Sequence, residues 1–90
     1  MATTIRNQVA SINAAAAHFA LQGYHTNTTF SIESQSAECC IYFHDLRKKE
    51  RLTKAMQCFA DEGDKISFHE YNNSKTGKFY TIQLRKKLES

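Results

Sequence analysis

The feature that most constrains the fold is a helical pattern that occurs twice, 40 residues apart. Phe19–Gly23 (FALQG) and Phe59–Gly63 (FADEG) each end an apolar stripe at helical spacing with a phenylalanine and then a glycine. Glycine at this place favours the left-handed conformation that stops a helix. Each segment leads into chain in which apolar and polar residues alternate, as they do in strands. The pattern therefore predicts a helix–hairpin unit in each half of the chain.

Two amphipathic helices are predicted. The first runs from about Thr4 to Gln22 with Thr3 or Thr4 as its cap, and the second runs from the cap Asp45 to Gly63. Their core-facing positions recur at steps of three and four: Ile5, Val9, Ile12, Ala16 and Phe19 in the first helix, and Leu52, Ala55, Met56 and Phe59 in the second.

Two strands are predicted after each helix, which gives four strands. NTTFSIES and ECCIYFH flank the short turn SQSA, while KISFHEY and FYTIQLRKK flank the turn NNSKTG. The core face of the resulting sheet is predicted to hold Phe30, Ile32, Cys39, Ile41, Phe43, Ile66, Phe68, Tyr80, Ile82 and Leu84. The fold class is α+β in the order α-β-β-α-β-β, a four-stranded antiparallel sheet with two helices packed on one face. Residues 1–90 form a single domain, in which 1–44 and 45–90 read as a pseudo-repeat or as convergence on a common local pattern.

The uncovered face of the sheet is the first candidate surface. It is predicted to carry Tyr42, His44, His69, Tyr71 and Phe79 among hydroxyl, amide and thiol side chains. Rings on an open sheet suit base stacking or a protein partner. The alternative is that cross-strand aromatic pairs only stabilise the sheet.

Basic residues in the second half are the other candidate surface. The chain has 12 basic and 9 acidic residues, and residues 1–44 contain only one of the basic ones, Arg6. The candidate partner-binding cations are Arg47, Lys48, Arg51 and Lys54 on the second helix and Arg85, Lys86 and Lys87 on the last strand. Such a set can contact phosphates or an acidic protein groove, and the alternative is a solvated face.

Other chemistry is not indicated. Cys39 and Cys40 are adjacent, so they point to opposite faces of a strand, and no Cys-x-x-Cys pair supports a metal site. No phosphate-binding glycine loop, nucleophile elbow or His-Glu-x-x-His motif occurs. We therefore predict a protein with no enzymatic activity, no cofactor and no metal. Three cysteines, an odd number, and the absence of an export signal favour the cytoplasm.

In size, element order and lack of motifs, the whole chain resembles the short phage-encoded inhibitors of host defence, among them the anti-CRISPR proteins. The resemblance implies a non-enzymatic inhibitor that binds a host nucleoprotein, such as a CRISPR surveillance complex, and blocks its DNA binding. Many of those inhibitors are acidic mimics of DNA, whereas this chain has a net charge of +3. The expected contact is therefore the basic helix face rather than DNA mimicry.

Two further functions are open at the level of sequence. The open sheet face and its basic rim could bind single-stranded nucleic acid directly. A structural homodimer could form through the alanine-bearing outer face of the first helix or through an edge of the sheet.

Overall fold

The computed structural model describes residues 2–89, with side chains for residues 5–89, and has the α+β fold predicted from sequence. The elements in chain order are α1 Ala2–Leu21, β1 His25–Ser31, β2 Ser36–Phe43, a 3₁₀ turn Leu46–Lys48, α2 Lys49–Gln57, β3 Lys65–Asn73 and β4 Gly77–Lys87.

All four strands form one antiparallel sheet in the order β1-β2-β4-β3. The sequence left this order open. The two C-terminal strands of the hairpins lie side by side at the centre, and β1 and β3 form the edges. On one face of the sheet, α1 covers β1 and β2 while α2 covers β3 and β4. The opposite face is left open.

One core lies between the helices and the sheet. Its fully buried members are Ile12, Ala15, Phe19, Ala37, Cys39, Ile41, Phe43, Leu52, Met56, Tyr80, Ile82 and Leu84. In β2 and β4 these are alternate residues, so the period-two assignment of the core face is confirmed there. The same alternation sends the next residue of each strand to the open face.

Gly23 ends α1 as the sequence predicted. It has φ 93°, its N–H donates to the carbonyl of Ala20, and the N–H of Tyr24 donates to the carbonyl of Phe19. This pair of bonds is the Schellman motif, which a residue with a side chain adopts only with strain. The predicted caps Thr3 and Thr4 lie outside the described side chains.

The first hairpin differs from the prediction. The ladder closes at the pair Ser31–Ser36, so the turn is 32–35 rather than SQSA, with Gln35 at φ 50°. Ile32 therefore leaves the sheet and is 94% exposed instead of buried. β1 also begins at His25, because the Schellman motif hands the chain directly to the strand.

The second helix is shorter than predicted. Asp45 caps the 3₁₀ turn, since its carboxylate accepts the N–H of Arg47 at 3.0 Å. α2 itself begins after Lys48 without a side-chain cap, and it ends at Gln57 rather than Gly63. Continuing the helix would place Asp61 and Glu62 at its C-terminus, where the helix dipole disfavours carboxylates. These residues instead form a loop before β3.

That loop is tied to a buried lysine. Lys86 shares the helix-facing parity of Leu84 in β4 and is 0% exposed, and its ammonium donates to the carboxylates of Asp61 (3.0 Å) and Asp64. Lys86 was predicted as a partner-binding cation, and this prediction is wrong. A buried charge must be paired, and the pair replaces the water that an exposed lysine would contact.

The two halves are related by an approximate two-fold arrangement. His25, the first residue of β1, corresponds to Lys65, the first residue of β3, and their numbers differ by 40. Their cross-strand partners, Tyr42 in β2 and Arg85 in β4, also correspond, and their numbers differ by 43. The same offset of 43 relates Cys40 to Gln83, which face each other in the β2–β4 ladder. The centre of the sheet therefore coincides with the centre of the pseudo-symmetry.

The buried ion pair leads to a stability prediction. Asp64→Asn leaves Lys86 buried without its enclosed counter-charge, so we expect a loss of about 3 kcal/mol in the free energy of unfolding. The double variant Asp64→Asn/Lys86→Met removes both buried charges and keeps the volume, so it should change stability by about 1 kcal/mol or less. Urea denaturation followed by circular dichroism measures both losses.

Asp61→Asn, at a carboxylate whose side chain is 79% exposed, is the control and should cost less than about 1 kcal/mol. Equal losses in all three variants would contradict the assignment.

Candidate functional site

Five rings form a continuous stripe across the open face of the sheet. In spatial order they are His25 (β1), Tyr42 (β2), Phe79 (β4), Tyr71 and His69 (β3), and we call them the ring stripe. Successive ring centroids are 5.2, 6.2, 5.0 and 6.3 Å apart. These distances lie in the range of direct aromatic contact. The stripe therefore joins all four strands on the side that no helix covers.

Strand register places these rings next to one another. His25 faces Tyr42 and Phe79 faces Tyr71 as direct cross-strand partners. Tyr42 faces Thr81, two residues from Phe79, so the link between the halves is diagonal. Long side chains reach across such a diagonal. The stripe is thus a product of the β2–β4 pairing, which no pattern within a single strand could show.

The rings remain accessible. Tyr71 is 46% exposed, His25 and His69 are exposed, and Tyr42 and Phe79 are half-buried. Tyr71 and Phe79 are stacked with an angle of 14° between their planes. An incoming flat group can extend such a stack without moving the sheet.

Beside the ring stripe lies a shallow polar groove of about 380 Å³. Besides Tyr42, Tyr71 and Phe79, its lining consists of Asn27, Thr29, Glu38, Cys40, Thr81 and Gln83. Glu38 forms an ion pair with Arg85 at 3.6 Å. The rest of the lining offers amide, hydroxyl and thiol groups, which can donate to and accept from a ligand.

Burial keeps the thiols near this groove neutral. It raises the pKa of Cys40, and it raises that of Cys39, on the core side, to about 11. The adjacent Cys40 raises the pKa of Tyr42, with burial a smaller cause. Because all three groups hold their protons at neutral pH, the groove presents neutral polar groups rather than nucleophiles.

A second cleft, of about 420 Å³, connects the ring stripe to the start of the basic helix. Its lining residues are Gly23, Tyr24, His25, Tyr42, Phe43, His44, Asp45 and Lys48. The predicted residues Tyr42, His44 and Lys48 therefore come together here, although they belonged to two separate predicted surfaces. Nδ1 of His44 donates to the carbonyl oxygen of Lys78 at 3.3 Å, which fixes that ring at the rim.

The cations of the basic helix are exposed, but each contacts a group of its own chain. Arg47 reaches back to Asp45 with two side-chain bonds of 3.0 and 3.1 Å, and its guanidinium lowers the pKa of that carboxyl. Lys54 lies 3.3 Å from Glu50. Arg47 stands in the 3₁₀ turn, so of the three cations predicted to share a helix face only Arg51 and Lys54 belong to α2 itself. Pairs this exposed contribute little to stability and can exchange partners.

Two aromatic rings hold the remaining cations of this region. Arg51 donates to the hydroxyl of Tyr24 at 3.1 Å, and the ammonium of Lys48 lies 5.5 Å from the centroid of the same ring. The ammonium of Lys49 lies 4.0 Å from the centroid of Phe68. Such contacts hold a cation in place while its charge stays in water. Tyr24 therefore sets two positive charges at the edge of the second cleft.

The C-terminal cations occupy the other end of the sheet. Arg85 and Lys87 project from the open face of β4, six and eight residues beyond Phe79, which is roughly 20–27 Å along the strand. The eleven predicted site residues thus separate into a cleft-and-stripe end and a distant basic end, and Lys86 belongs to neither.

Sequence reasoning missed Tyr24 and His25. Both follow the helix stop Gly23 directly, and the predicted strand began later, at Asn27. His25 has the same parity as Asn27 and Thr29, so extending the strand back to the glycine would have placed its ring on the open face. Phe79 was assigned to that face, but its contact with Tyr71 required the register.

Within residues 2–89, no three His, Cys, Asp or Glu side chains are close enough to hold a metal ion. Neither helix in this part of the chain is both long and apolar enough to cross a bilayer. No model of a protein family matches the sequence, and a search of the curated proteins finds no similar one.

Proposed function

We propose that the protein is a non-enzymatic binding protein that holds a single strand of RNA or DNA on the open face of its sheet. The ring stripe is the observation that carries this proposal. Bases present flat apolar faces and stack on exposed aromatic side chains, and this stacking tolerates any sequence. A row of five rings in mutual contact across four strands offers such a platform.

The surroundings of the stripe suit the other parts of a strand. Lys48 and Arg51, which contact Tyr24, provide positive charge at one end of the sheet. Arg85 and Lys87 provide it at the other end of the sheet. Phosphates need such charge along the path of a strand. The amides and hydroxyls of the groove lie between, where base edges would come. In this proposal the protein acts in the cytoplasm, where its three free cysteines stay reduced.

The proposal predicts a loss of affinity when a ring is removed. Tyr71→Ala should weaken the binding of a labelled single-stranded oligonucleotide by roughly 5- to 100-fold, because one stacking contact contributes about 1–3 kcal/mol. Fluorescence anisotropy measures the affinity. Leu46→Ala is the control, because Leu46 is about as exposed (48%) as Tyr71 (46%). Leu46 lies outside the ring stripe, the polar groove and the second cleft.

Salt dependence gives the same titration a second readout. Raising the salt about fourfold should weaken binding roughly 20-fold if about three phosphates are neutralised. A flat titration at low salt, or equal losses in Tyr71→Ala and Leu46→Ala, would contradict the proposal.

A second candidate function uses the basic helix. Residues 45–54 contain five exposed cations and only two carboxylates, Asp45 and Glu50. This excess favours contact with a nucleoprotein, as expected for an inhibitor that resembles the anti-CRISPR proteins and blocks DNA entry into a CRISPR surveillance complex. The weak intrachain pairs of Arg47 and Lys54 would be replaced by pairs with phosphates or acidic side chains.

Charge reversal tests this second function. In the triple variant Arg47→Glu/Arg51→Glu/Lys54→Glu, we expect the loss of a nucleoprotein that wild type retains from a host lysate, because the contact changes from attraction to repulsion. The matched control is Arg6→Glu/Lys65→Glu/Lys75→Glu, which changes the net charge equally at exposed positions elsewhere. Retention by the first variant, or no retained nucleoprotein with wild type, would rule this function out.

A further inference from the structure

The edge strand β1 has one side without a backbone partner. It pairs with β2 on one side only, and it lies at the end of the sheet order. An antiparallel edge presents a row of free N–H and C=O groups that another strand can pair with. Folded proteins usually block such an edge with charge, proline or a bulge. β1 (HTNTTFS) contains no Asp, Glu, Lys, Arg or Pro, and its seven pairs with β2 run without a bulge.

The other edge strand is protected. β3 contains Lys65 and Glu70, and pairing two copies of β3 about its central residue would place Phe68 opposite Glu70. Such a contact buries a carboxylate against a ring without a counter-charge. The two edges therefore differ in the property that decides whether a strand can pair with its own copy.

We propose that β1 is a self-association surface, on which a second copy of this chain pairs antiparallel to give a continuous eight-stranded sheet. In antiparallel strands, two residues that face each other point to the same side of the sheet. The helices of both copies therefore lie on one side only if facing residues are both even-numbered or both odd-numbered, so that their numbers add to an even value. Full overlap of the seven residues then places Thr28 on the two-fold axis, opposite Thr28 of the second copy.

Every cross-strand pair in this register is compatible. Phe30 faces Thr26 of the second copy on the helix side, which is an aromatic and β-branched pair of the kind that stabilises sheets. On the open side Asn27 faces Thr29, and two polar side chains can hydrogen-bond there. The pairing adds about six to eight backbone hydrogen bonds and no like-charge contact.

Exposed apolar side chains lie in the same region. Phe30 at the end of β1 and Ile32 in the following turn are 45% and 94% exposed. A mostly apolar cleft of about 240 Å³ between Ile5, Phe30, Ile32 and Leu88 adjoins the strand. Pairing would cover Phe30 from the side that is now open.

Charge selects a second copy as the occupant. A symmetric interface brings the same patch of both copies together, so an uncharged patch favours self-pairing while a patch with charges of one sign opposes it. The flank of α1 above this edge carries one charge: Ser11 and His18 contact Phe59, which follows α2, so exposed Arg6, Asn13, Ala17 and Ala20 lie on the other side. The positive charge of the chain lies in its second half, away from β1.

Sedimentation equilibrium tests the proposal. Wild type is expected to reach the mass of two chains at about 100 µM, with dissociation on dilution. The double variant Asn27→Glu/Thr29→Glu places carboxylates of the two copies opposite each other on the solvent side of the strand, so the association constant should fall at least tenfold. Both positions are exposed, and thermal unfolding checks that the variant stays folded.

A matched control and a second readout complete the experiment. Ser67→Glu/Asn73→Glu introduces the same charge at exposed positions of β3 and should leave the association constant unchanged. Amide hydrogen exchange in residues 26–30 should slow with rising wild-type concentration, while exchange in β3 should not. A wild-type mass of one chain at every concentration, or an equal effect of the two double variants, would overturn the proposal.

Discussion

The antiparallel pairing of β2 with β4 is the interaction on which the rest of the structure depends. Eight residue pairs, from Ser36–Lys87 to Phe43–Tyr80, join the two helix–hairpin halves. On the covered face this ladder brings Ile41 beside Ile82 and makes one core. On the open face it brings Tyr42 within 6.2 Å of Phe79 and makes one ring stripe. Without it, each half would present a two-stranded hairpin, which is marginal in water.

The halves share a layout but differ in their charges. The first carries one basic residue and leaves an uncharged edge, whereas the second carries the exposed cations of the 3₁₀ turn and α2. FALQG forms a Schellman stop. The acidic pair in FADEG instead lies in a loop that, together with Asp64, encloses Lys86. This difference between the two segments therefore lies in how each helix ends and not on the proposed binding surface. Binding is instead proposed where the halves meet, on the ring stripe.

The sequence predicted the fold class, the element order and the two faces of the central strands, because hydrophobic periods of 3.6 and 2 are local properties. It missed Ile32, whose exposure depends on where the hairpin closes, and it missed the early end of α2. Lys86 has the parity of Tyr80, Ile82 and Leu84, but its burial depends on a carboxylate 22 residues earlier. The ring stripe could not be predicted, because it requires the strand order and a diagonal contact between hairpins.

The most direct test of the central claim, that the open sheet face is the binding surface, is a backbone amide NMR titration with a single-stranded oligonucleotide of about twelve nucleotides. The account predicts that chemical shifts change around His25, Tyr42, Tyr71 and Phe79 and stay constant on the outer faces of α1 and α2. Shift changes confined to α2, or none at saturating oligonucleotide, would contradict it.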